Sequence, residues 1–219
     1  MMKQSRFPET DIYCITASQF SLGRSNVDVV RQMLEAGIKI IQYREKDFSK
    51  LQKYRECLAI RDLTVQYGAC LIVNDDVDLA LAVESDGVHV GQEDLPAEKA
   101  RELIGDKMAL GLSTHSPEQA RQAQRAFEAG IIDYIGVGPL YGTNLKKEPM
   151  APVGLGYLDY VVSHQQVPFV AIGGIKEHNI AEVVRHGASC VCLVTEIVGE
   201  ADIAGKIRSI RAEMAKARK

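Results

Sequence analysis

PFVAIGGIKEHNIAEVVRHGASCVCLV, residues 168–194, contains one full repeat of the pattern that decides the fold. A short run with β-branched residues at 168–172 predicts a strand, and the amphipathic stretch at 177–185 predicts a helix. Gly187 follows that helix, where a left-handed residue is common, and the apolar run 190–194 predicts the next strand. The segment therefore predicts a strand–helix–strand unit of a parallel sheet.

The same alternation extends along the chain, with a strand about every 20 to 30 residues. The predicted strands are residues 12–16, 39–44, 70–74, 87–90, 108–113, 134–137, 168–172 and 190–194. The predicted helices are residues 27–36, 49–67, 77–84, 96–104, 116–129, 156–165, 177–185 and 202–215. Strict alternation of strands and helices predicts an α/β protein, a single (β/α)8 TIM barrel. The alternative is a doubly wound open sheet, but the GxGxxG motif of nucleotide-binding sheets does not follow the first strand.

Composition bounds the function. Of the 219 residues, 46% are hydrophobic and 25% are charged, which is typical of a globular protein and excludes a disordered chain. The net charge of −3 gives no basic field for nucleic acid, and no apolar run reaches the ~18 residues of a membrane span. We expect one domain over residues 1–219, with residues 1–10 as an N-terminal extension. The polar N-terminus predicts a cytoplasmic location, with no nucleic-acid or membrane partner.

In a TIM barrel the chemistry lies at the C-terminal ends of the strands, so the residues that follow each strand are the candidates. The second strand ends in QYREK, in which Gln42, Arg44 and Lys46 share a face because side chains alternate along a strand. An amide and two cations on one face suit a phosphate or diphosphate. The alternative is an exposed strand end whose cations pair with Glu45.

Acidic residues follow the next two strands. Asp75 comes directly after the third strand, and Asp94 follows the fourth. Carboxylates at neighbouring strand ends can share Mg²⁺, which completes its coordination shell with water and substrate phosphates. The alternative is that these acids cap helices or face water, and Asp76 in particular could cap the helix at 77–84.

Three further strand ends offer groups for an anion. Ser113, at the end of the fifth strand, could donate to a phosphate oxygen or begin a turn, and His89 in the fourth strand could line the barrel. The long segment between the sixth strand and the helix at 156–165 offers the hydroxyl of Thr143 and the cation of Lys146, unless it is simply a solvated loop. Gly173 and Gly174 would let a ligand approach the backbone after the seventh strand, which predicts a second anion site.

Six motifs in order resemble the thiamine-phosphate synthase family, and the resemblance runs from residue 12 to about residue 197. The motifs are QYREK at 42–46, VNDD at 73–76, GVHVGQEDLP at 87–96, GLSTH at 111–115, DYIGVGPLYGTNLK at 133–146 and AIGGI at 171–175. The resemblance implies a (β/α)8 barrel and a transferase of a pyrimidinylmethyl group. Such an enzyme joins 4-amino-2-methyl-5-hydroxymethylpyrimidine diphosphate to 4-methyl-5-(2-phosphooxyethyl)thiazole, giving thiamine phosphate and diphosphate by a dissociative substitution.

The resemblance also implies roles for individual residues. The pyrimidine diphosphate would be bound by Gln42, Arg44, Lys46, Asn74, Ser113 and Lys146. The thiazole phosphate would be surrounded by Thr143, Leu145, Gly173, Gly174, Val194 and Thr195. Asp75 and Asp94 would bind Mg²⁺, the implied cofactor. Leu145 departs from the family, which usually has threonine there, and a leucine side chain cannot donate a hydrogen bond.

Two other functions fit a barrel of this size. A thiazole tautomerase transfers a proton without a metal, and it could dispense with QYREK and the acid pair. A non-catalytic ligand-binding barrel would not need an intact metal pair. Both alternatives are disfavoured by the presence of these residues, and release of diphosphate would distinguish them from the synthase.

Overall fold

The computed structural model describes residues 6–143 and 150–218, and in it eight parallel strands close a barrel. The strands pair in chain order and the last pairs with the first, in a register that sets Ile12 opposite Val191. The predicted (β/α)8 barrel is confirmed. The strands β1 to β8 are Ile12–Ile15, Ile40–Tyr43, Cys70–Asn74, Gly87–Val90, Ala109–Thr114, Tyr134–Val137, Phe169–Ala171 and Val191–Leu193.

Every predicted helix is present, with shifted ends. The helices α1 to α9 are Asn26–Glu35, Lys50–Tyr67, Val77–Ala82, Ala97–Ile104, Pro117–Glu128, Gly154–His164, Ile180–Arg185, Thr195–Val198 and Ile203–Ala217. Two short elements were not predicted, the helix α8 and a 3-10 turn at Ser18–Phe20. The helix α7 begins three residues later than predicted because the Asn179 side chain accepts a hydrogen bond from the Lys176 amide (2.7 Å) and holds a turn there.

Local sequence signals explain where the helices begin and end. The Ser49 hydroxyl accepts from the amide of Gln52, and the Gln52 side chain accepts from the Ser49 amide, which satisfies two N–H groups at the start of α2. The same helix ends at Gly68, whose φ of 58° is left-handed. Ser116 caps α5, with Pro117 at its first position, as the sequence predicts. These caps set the ends of the helices, and therefore the points at which the polypeptide continues into the next strand.

The core lies inside the barrel and between the barrel and its helices. On α1 one face is buried, and Val29, Val30 and Met33 on that face have no exposed surface. Burying a side chain of this size stabilises the fold by about 1.5–3 kcal/mol. Among the described residues, no helix combines the length and apolar character that a membrane span requires.

The described part of the N-terminal extension contacts the barrel. Arg6 forms an ion pair with the buried Asp133 (2.9 Å), and the ring of Phe7 stacks on the ring of Tyr134 with centroids 4.2 Å apart. Tyr134 is the first residue of β6, so this segment covers the end of the barrel opposite the predicted site. No sequence pattern in residues 6–10 predicts this contact.

Candidate active site

The closed parallel barrel brings the predicted site residues to one end, because each lies near or beyond the C-terminal end of its strand. We call this end the mouth. It carries Gln42, Arg44, Lys46, Asn74, Asp75, Asp94, Ser113, Thr143, Gly173, Gly174, Val194 and Thr195. Leu145 and Lys146 lie outside the described residues.

The end of β2 is built so that its cations stay at the mouth. The Arg44 amide donates to the Thr16 hydroxyl (2.8 Å), which ties this strand end to β1. Lys46 extends to the next strand end and forms an ion pair with Asp75. Glu45 does not pair with these cations but accepts from the amide nitrogen of the Asn26 side chain (2.7 Å). The acid therefore anchors the segment and leaves the cations of QYREK for the mouth.

Asp75 and Asp94 lie next to each other at the mouth, and their role as metal ligands stays a prediction. Asp75 has a left-handed φ of 59°, and its amide donates to the His89 carbonyl (2.8 Å), so the backbone turns sharply where β3 ends. Such a conformation is uncommon outside glycine and is tolerated best by Asp and Asn. The Asp94 carboxylate accepts from the Gly91 amide (2.7 Å) and lies beside the carboxylate of Asp75. Burial and the neighbouring Asp75 raise the pKa of Asp94.

Asp76 is turned away from this pair. Its carboxylate pairs with Lys50 (2.6 Å) and Lys53 (2.8 Å), and it makes no side-chain cap on α3, which corrects the capping alternative. Burial acts to raise the pKa of Asp76, but hydrogen bonds from the two lysines outweigh it, and the pKa is lowered. Asp76 therefore joins α2 to α3 outside the mouth.

The donor set at the Asp75–Asp94 pair suits a hard cation. Within residues 6–143 and 150–218, no group of three or more His, Cys, Asp or Glu side chains is arranged to hold a metal. Two carboxylates are nevertheless what Mg²⁺ typically takes from a protein when a phosphate-bearing substrate supplies the other oxygens. A divalent cation between the two carboxylates would also relieve the repulsion between their negative charges.

A chain of hydrogen bonds runs through the barrel interior below the mouth. The Gln42 amide nitrogen is 2.9 Å from the Tyr13 hydroxyl, which is 2.9 Å from the Tyr134 hydroxyl. That hydroxyl is 3.1 Å from Nδ1 of His89, whose Nε2 is 2.9 Å from the Ser113 hydroxyl. We call these five residues the interior chain. It connects two predicted substrate-binding residues, Gln42 and Ser113.

The glycine pair after β7 has a steric role. Gly173 and Gly174 have φ values of 99° and 64°, and the segment 138–142 packs directly on them. A Cβ on Gly173 would lie 2.4 Å from Pro139 Cα, and one on Gly174 would lie 2.5 Å from the Gly142 carbonyl oxygen. The glycines are therefore required by the loop that carries Thr143. Ligand approach at this position stays a prediction.

Donors for an anion lie beside these glycines. In the described part of the chain, the amides of Gly174 and Ile175 donate to no acceptor. The Thr195 hydroxyl accepts from Nζ of Lys176 (2.8 Å), which leaves its own proton to donate. Lys176 was missed from the sequence, although its position just after AIGGI falls under the strand-end rule.

Residues 12–197 match the family model described as thiamine monophosphate synthase. The chain belongs to this family. A thiamine-phosphate synthase of Pelotomaculum thermopropionicum is 62% identical over 93% of this chain and 92% of its own length, and one of Lawsonia intracellularis is 54% identical over 93% and 92%. A solved thiamine phosphate pyrophosphorylase of Pyrococcus furiosus is 32% identical, with a TM-score of 0.83 over 95% of this chain and 97% of that one.

Membership in the thiamine-phosphate synthase family gives the chain its class of activity. It is a transferase that joins a pyrimidine and a thiazole moiety. The substrates are small molecules.

Proposed function

We propose that the mouth joins 4-amino-2-methyl-5-hydroxymethylpyrimidine diphosphate to 4-methyl-5-(2-phosphooxyethyl)thiazole, with a diphosphate site on one side and a thiazole-phosphate site on the other. The observation that carries this division is the cluster of Lys46, Asp75 and Asp94, where a cation and two carboxylates from three successive strand ends meet. A diphosphate leaving group needs both kinds of charge, because its oxygens bind a cation directly and bind a metal held by carboxylates.

Asp75 and Asp94 would hold Mg²⁺ together with the diphosphate. When bound, the ion neutralises negative charge on the leaving group. Lys46 lies beside Asp75, so its ammonium group is positioned to contact the same diphosphate. Arg44, Asn74 and Ser113 would complete the set of donors on this side, and Lys146 is assigned here by the family pattern.

The reaction needs no protein nucleophile. The bond between the pyrimidine methylene carbon and the diphosphate oxygen breaks, and its electron pair leaves with the diphosphate. The aminopyrimidine stabilises the resulting methylene cation, and the thiazole nitrogen then donates its lone pair to form the new C–N bond. The protein supplies positive charge, which attracts the diphosphate more strongly as negative charge builds up on it during bond breaking. The protein also aligns the two substrates.

The thiazole phosphate would bind on the side of β7 and β8. The amides of Gly174 and Ile175 offer two N–H donors, and Thr195 offers a hydroxyl whose own oxygen is already engaged by Lys176. Lys176 adds a positive charge, although it is shared with Glu196 (3.0 Å). Thr143, Leu145, Gly173 and Val194 would surround the rest of the ligand. This side requires no metal.

The experiment compares two adjacent carboxylates. We expect Asp75→Asn to lower thiamine phosphate formation by ~10²–10³-fold, the typical cost of losing one well-placed charged group in a transition state. Asp76→Asn is the matched control, since Asp76 pairs with Lys50 and Lys53 outside the mouth, and its turnover should stay near that of the unaltered chain. Formation of thiamine phosphate and diphosphate is measured at several Mg²⁺ concentrations.

Full turnover by Asp75→Asn would contradict the assignment of the metal site. Absence of diphosphate release by the unaltered chain would favour the ligand-binding alternative, and proton exchange on the thiazole without condensation would favour the tautomerase alternative.

A further inference from the structure

The interior chain contains three residues to which the proposed reaction gives no task, namely Tyr13, His89 and Tyr134. Both tyrosines are buried, with 2% and 1% of their surface exposed, and they lie near the N-terminal ends of their strands. Gln42 and Ser113 lie near the C-terminal ends of theirs. The hydrogen bonds of the interior chain therefore run from Gln42 at the mouth down into the barrel and back up to Ser113 at the mouth.

The direction of the hydrogen bonds follows from the groups available. The Gln42 amide nitrogen can only donate, so the Tyr13 oxygen accepts, and the arrangement that gives every proton of the interior chain an acceptor has the Tyr13 hydroxyl donate to Tyr134. In the same arrangement the Tyr134 hydroxyl donates to Nδ1 of His89, which is then the unprotonated nitrogen. The proton of the neutral ring therefore sits on Nε2, which donates to the Ser113 oxygen. Ser113 accepts from below, and its own proton is left to point into the mouth.

We propose that the interior chain holds His89 in its Nε2–H tautomer and thereby presents the Ser113 hydroxyl as a hydrogen-bond donor to a diphosphate oxygen. Tyr13, His89 and Tyr134 are positioning residues, since they act through Ser113. The proposal rests on the proposed function for the identity of the anion. Phosphate oxygens only accept hydrogen bonds, so a serine whose proton pointed back into the barrel could not bind one in this way.

The packing around the interior chain leaves room for its hydrogen bonds and keeps its tyrosines buried. Gly111 lies on β5 where a Cβ would sit 2.3 Å from Nδ1 of His89 and 2.3 Å from Cζ of Tyr134, so no larger residue leaves room for their hydrogen bond. The Phe7 ring stacks on the Tyr134 ring. Burial raises the pKa of Tyr13 and Tyr134, which keeps both hydroxyl groups protonated and able to donate.

The first test reads the tautomer directly in the substrate-free chain. Nitrogen-15 NMR of histidine-labelled protein at neutral pH, with the His89 signals assigned from their loss in His89→Gln, should show a protonated Nε2 and an unprotonated Nδ1. Tyr134→Phe removes the donor to Nδ1 and should shift the population toward the other tautomer. Tyr157→Phe is the matched control, because Tyr157 is also buried and bonds Thr114 (2.7 Å) outside the interior chain. A protonated Nδ1 in the unaltered chain, or a tautomer unchanged by Tyr134→Phe, overturns the proposal.

The second test measures coupling to the ligand, with inorganic diphosphate and Mg²⁺ as the probe. We expect Ser113→Ala to weaken binding by about tenfold or more, as for a hydrogen bond to a charged group, and Tyr134→Phe to weaken it about three- to tenfold. The double variant should bind no worse than Ser113→Ala alone, since Tyr134 acts only through Ser113. Tyr157→Phe should leave the dissociation constant unchanged. If Tyr134→Phe does not fold, Tyr13→Phe replaces it in both tests, because it removes the hydrogen bond between Tyr13 and Tyr134.

Losses that add in the double variant, or no measurable binding by the unaltered chain, overturn the proposal. The outcome is separate from that of the proposed function. If the protein shows the Nε2–H tautomer and the coupling but forms no thiamine phosphate, the proposed reaction is contradicted. The proposed role of the interior chain is then still supported.

Discussion

At the scale of single residues, the pair of Asp75 and Asp94 works against the stability of the unliganded protein. Burial and the charge of Asp75 raise the pKa of Asp94 in the folded state. Between the ordinary Asp pKa and this raised value, the folded chain binds a proton that the unfolded chain does not. Stability therefore falls as pH rises through that window, and the penalty is fully present above the raised value.

We expect Asp94→Asn to stabilise the metal-free protein at pH 7 by about 0.2–1 kcal/mol, because it removes a like-charge contact at a solvent-accessible site. The asparagine oxygen can keep the hydrogen bond from the Gly91 amide. The gain should vanish in acid, where Asp94 is protonated, and Mg²⁺ with diphosphate should stabilise the unaltered chain more than the variant. Urea denaturation at both pH values measures this, and a destabilised variant at pH 7 would refute the account.

Strand-end reasoning could place Lys46, Asp75 and Asp94 because their positions in sequence follow directly from where strands end. It could not find Tyr13 and Tyr134. Alternation along a strand shows which residues share a face, but only the register of the closed barrel shows which face is interior. The sequence likewise suggested a ligand beside Gly173 and Gly174, whereas packing of residues 138–142 already accounts for both glycines.

At the scale of elements, the segment 6–10 behaves as a cover for one end of the barrel. Phe7 stacks on Tyr134, and Arg6 forms an ion pair with the buried Asp133. Asp133 also pairs with Arg101 (2.7 Å) and accepts from the Leu110 amide (2.9 Å), so the segment is joined to a network between β5 and β6. Composition alone could not predict this, because RFPET contains neither a strand nor a helix pattern.

Phe7→Ala should lower the free energy of unfolding by roughly 1–3 kcal/mol, since it removes a partly buried ring and its stacking contact. The control is Leu103→Ala on α4, whose side chain is 58% exposed and whose loss should change stability little. Chemical denaturation monitored by circular dichroism gives both values. Equal effects of the two substitutions would mean that the segment only rests on the surface.

Helix existence was predictable from periodicity, and helix ends were less so. The late start of α7 depends on one side chain, Asn179, whose oxygen holds the preceding turn. The short helix α8 was not predicted, because its four residues follow directly on the apolar, β-branched run of the eighth strand and show no helical pattern of their own. Tertiary contacts decide such residues, and local propensity does not see them.

At the scale of the whole molecule, an ion pair joins the N-terminal and C-terminal parts of the polypeptide on the outside of the barrel. Arg211 on α9 forms an ion pair with Asp11, just before β1 (2.7 Å), and donates to the carbonyl of Ala36 after α1 (2.9 Å). Burial acts to raise the pKa of Asp11, but the hydrogen bond and charge of Arg211 outweigh it, and the pKa is lowered. The last helix is thus joined to the first strand.

We expect Arg211→Met to cost about 1–2 kcal/mol at neutral pH, because it removes partly exposed hydrogen bonds to a charged group and to backbone carbonyls. The part due to Asp11 is present above the ordinary Asp pKa and is lost as pH falls through the lowered value, so the difference from the unaltered chain should narrow in acid. Arg208→Met, at an exposed position of the same helix, is the control. A difference that does not depend on pH would remove Asp11 from the explanation.

The pairing of β8 with both β7 and β1 has a consequence for the growing polypeptide. Until residues 191–193 have been synthesised, β1 and β7 each present an unpaired row of backbone N–H and C=O groups, and such rows invite association with other chains. Three residues, Val191–Leu193, remove both open edges at once. Nascent or truncated chains that stop before residue 191 are therefore the form most exposed to aggregation, and the synthesis of β8 ends that exposure.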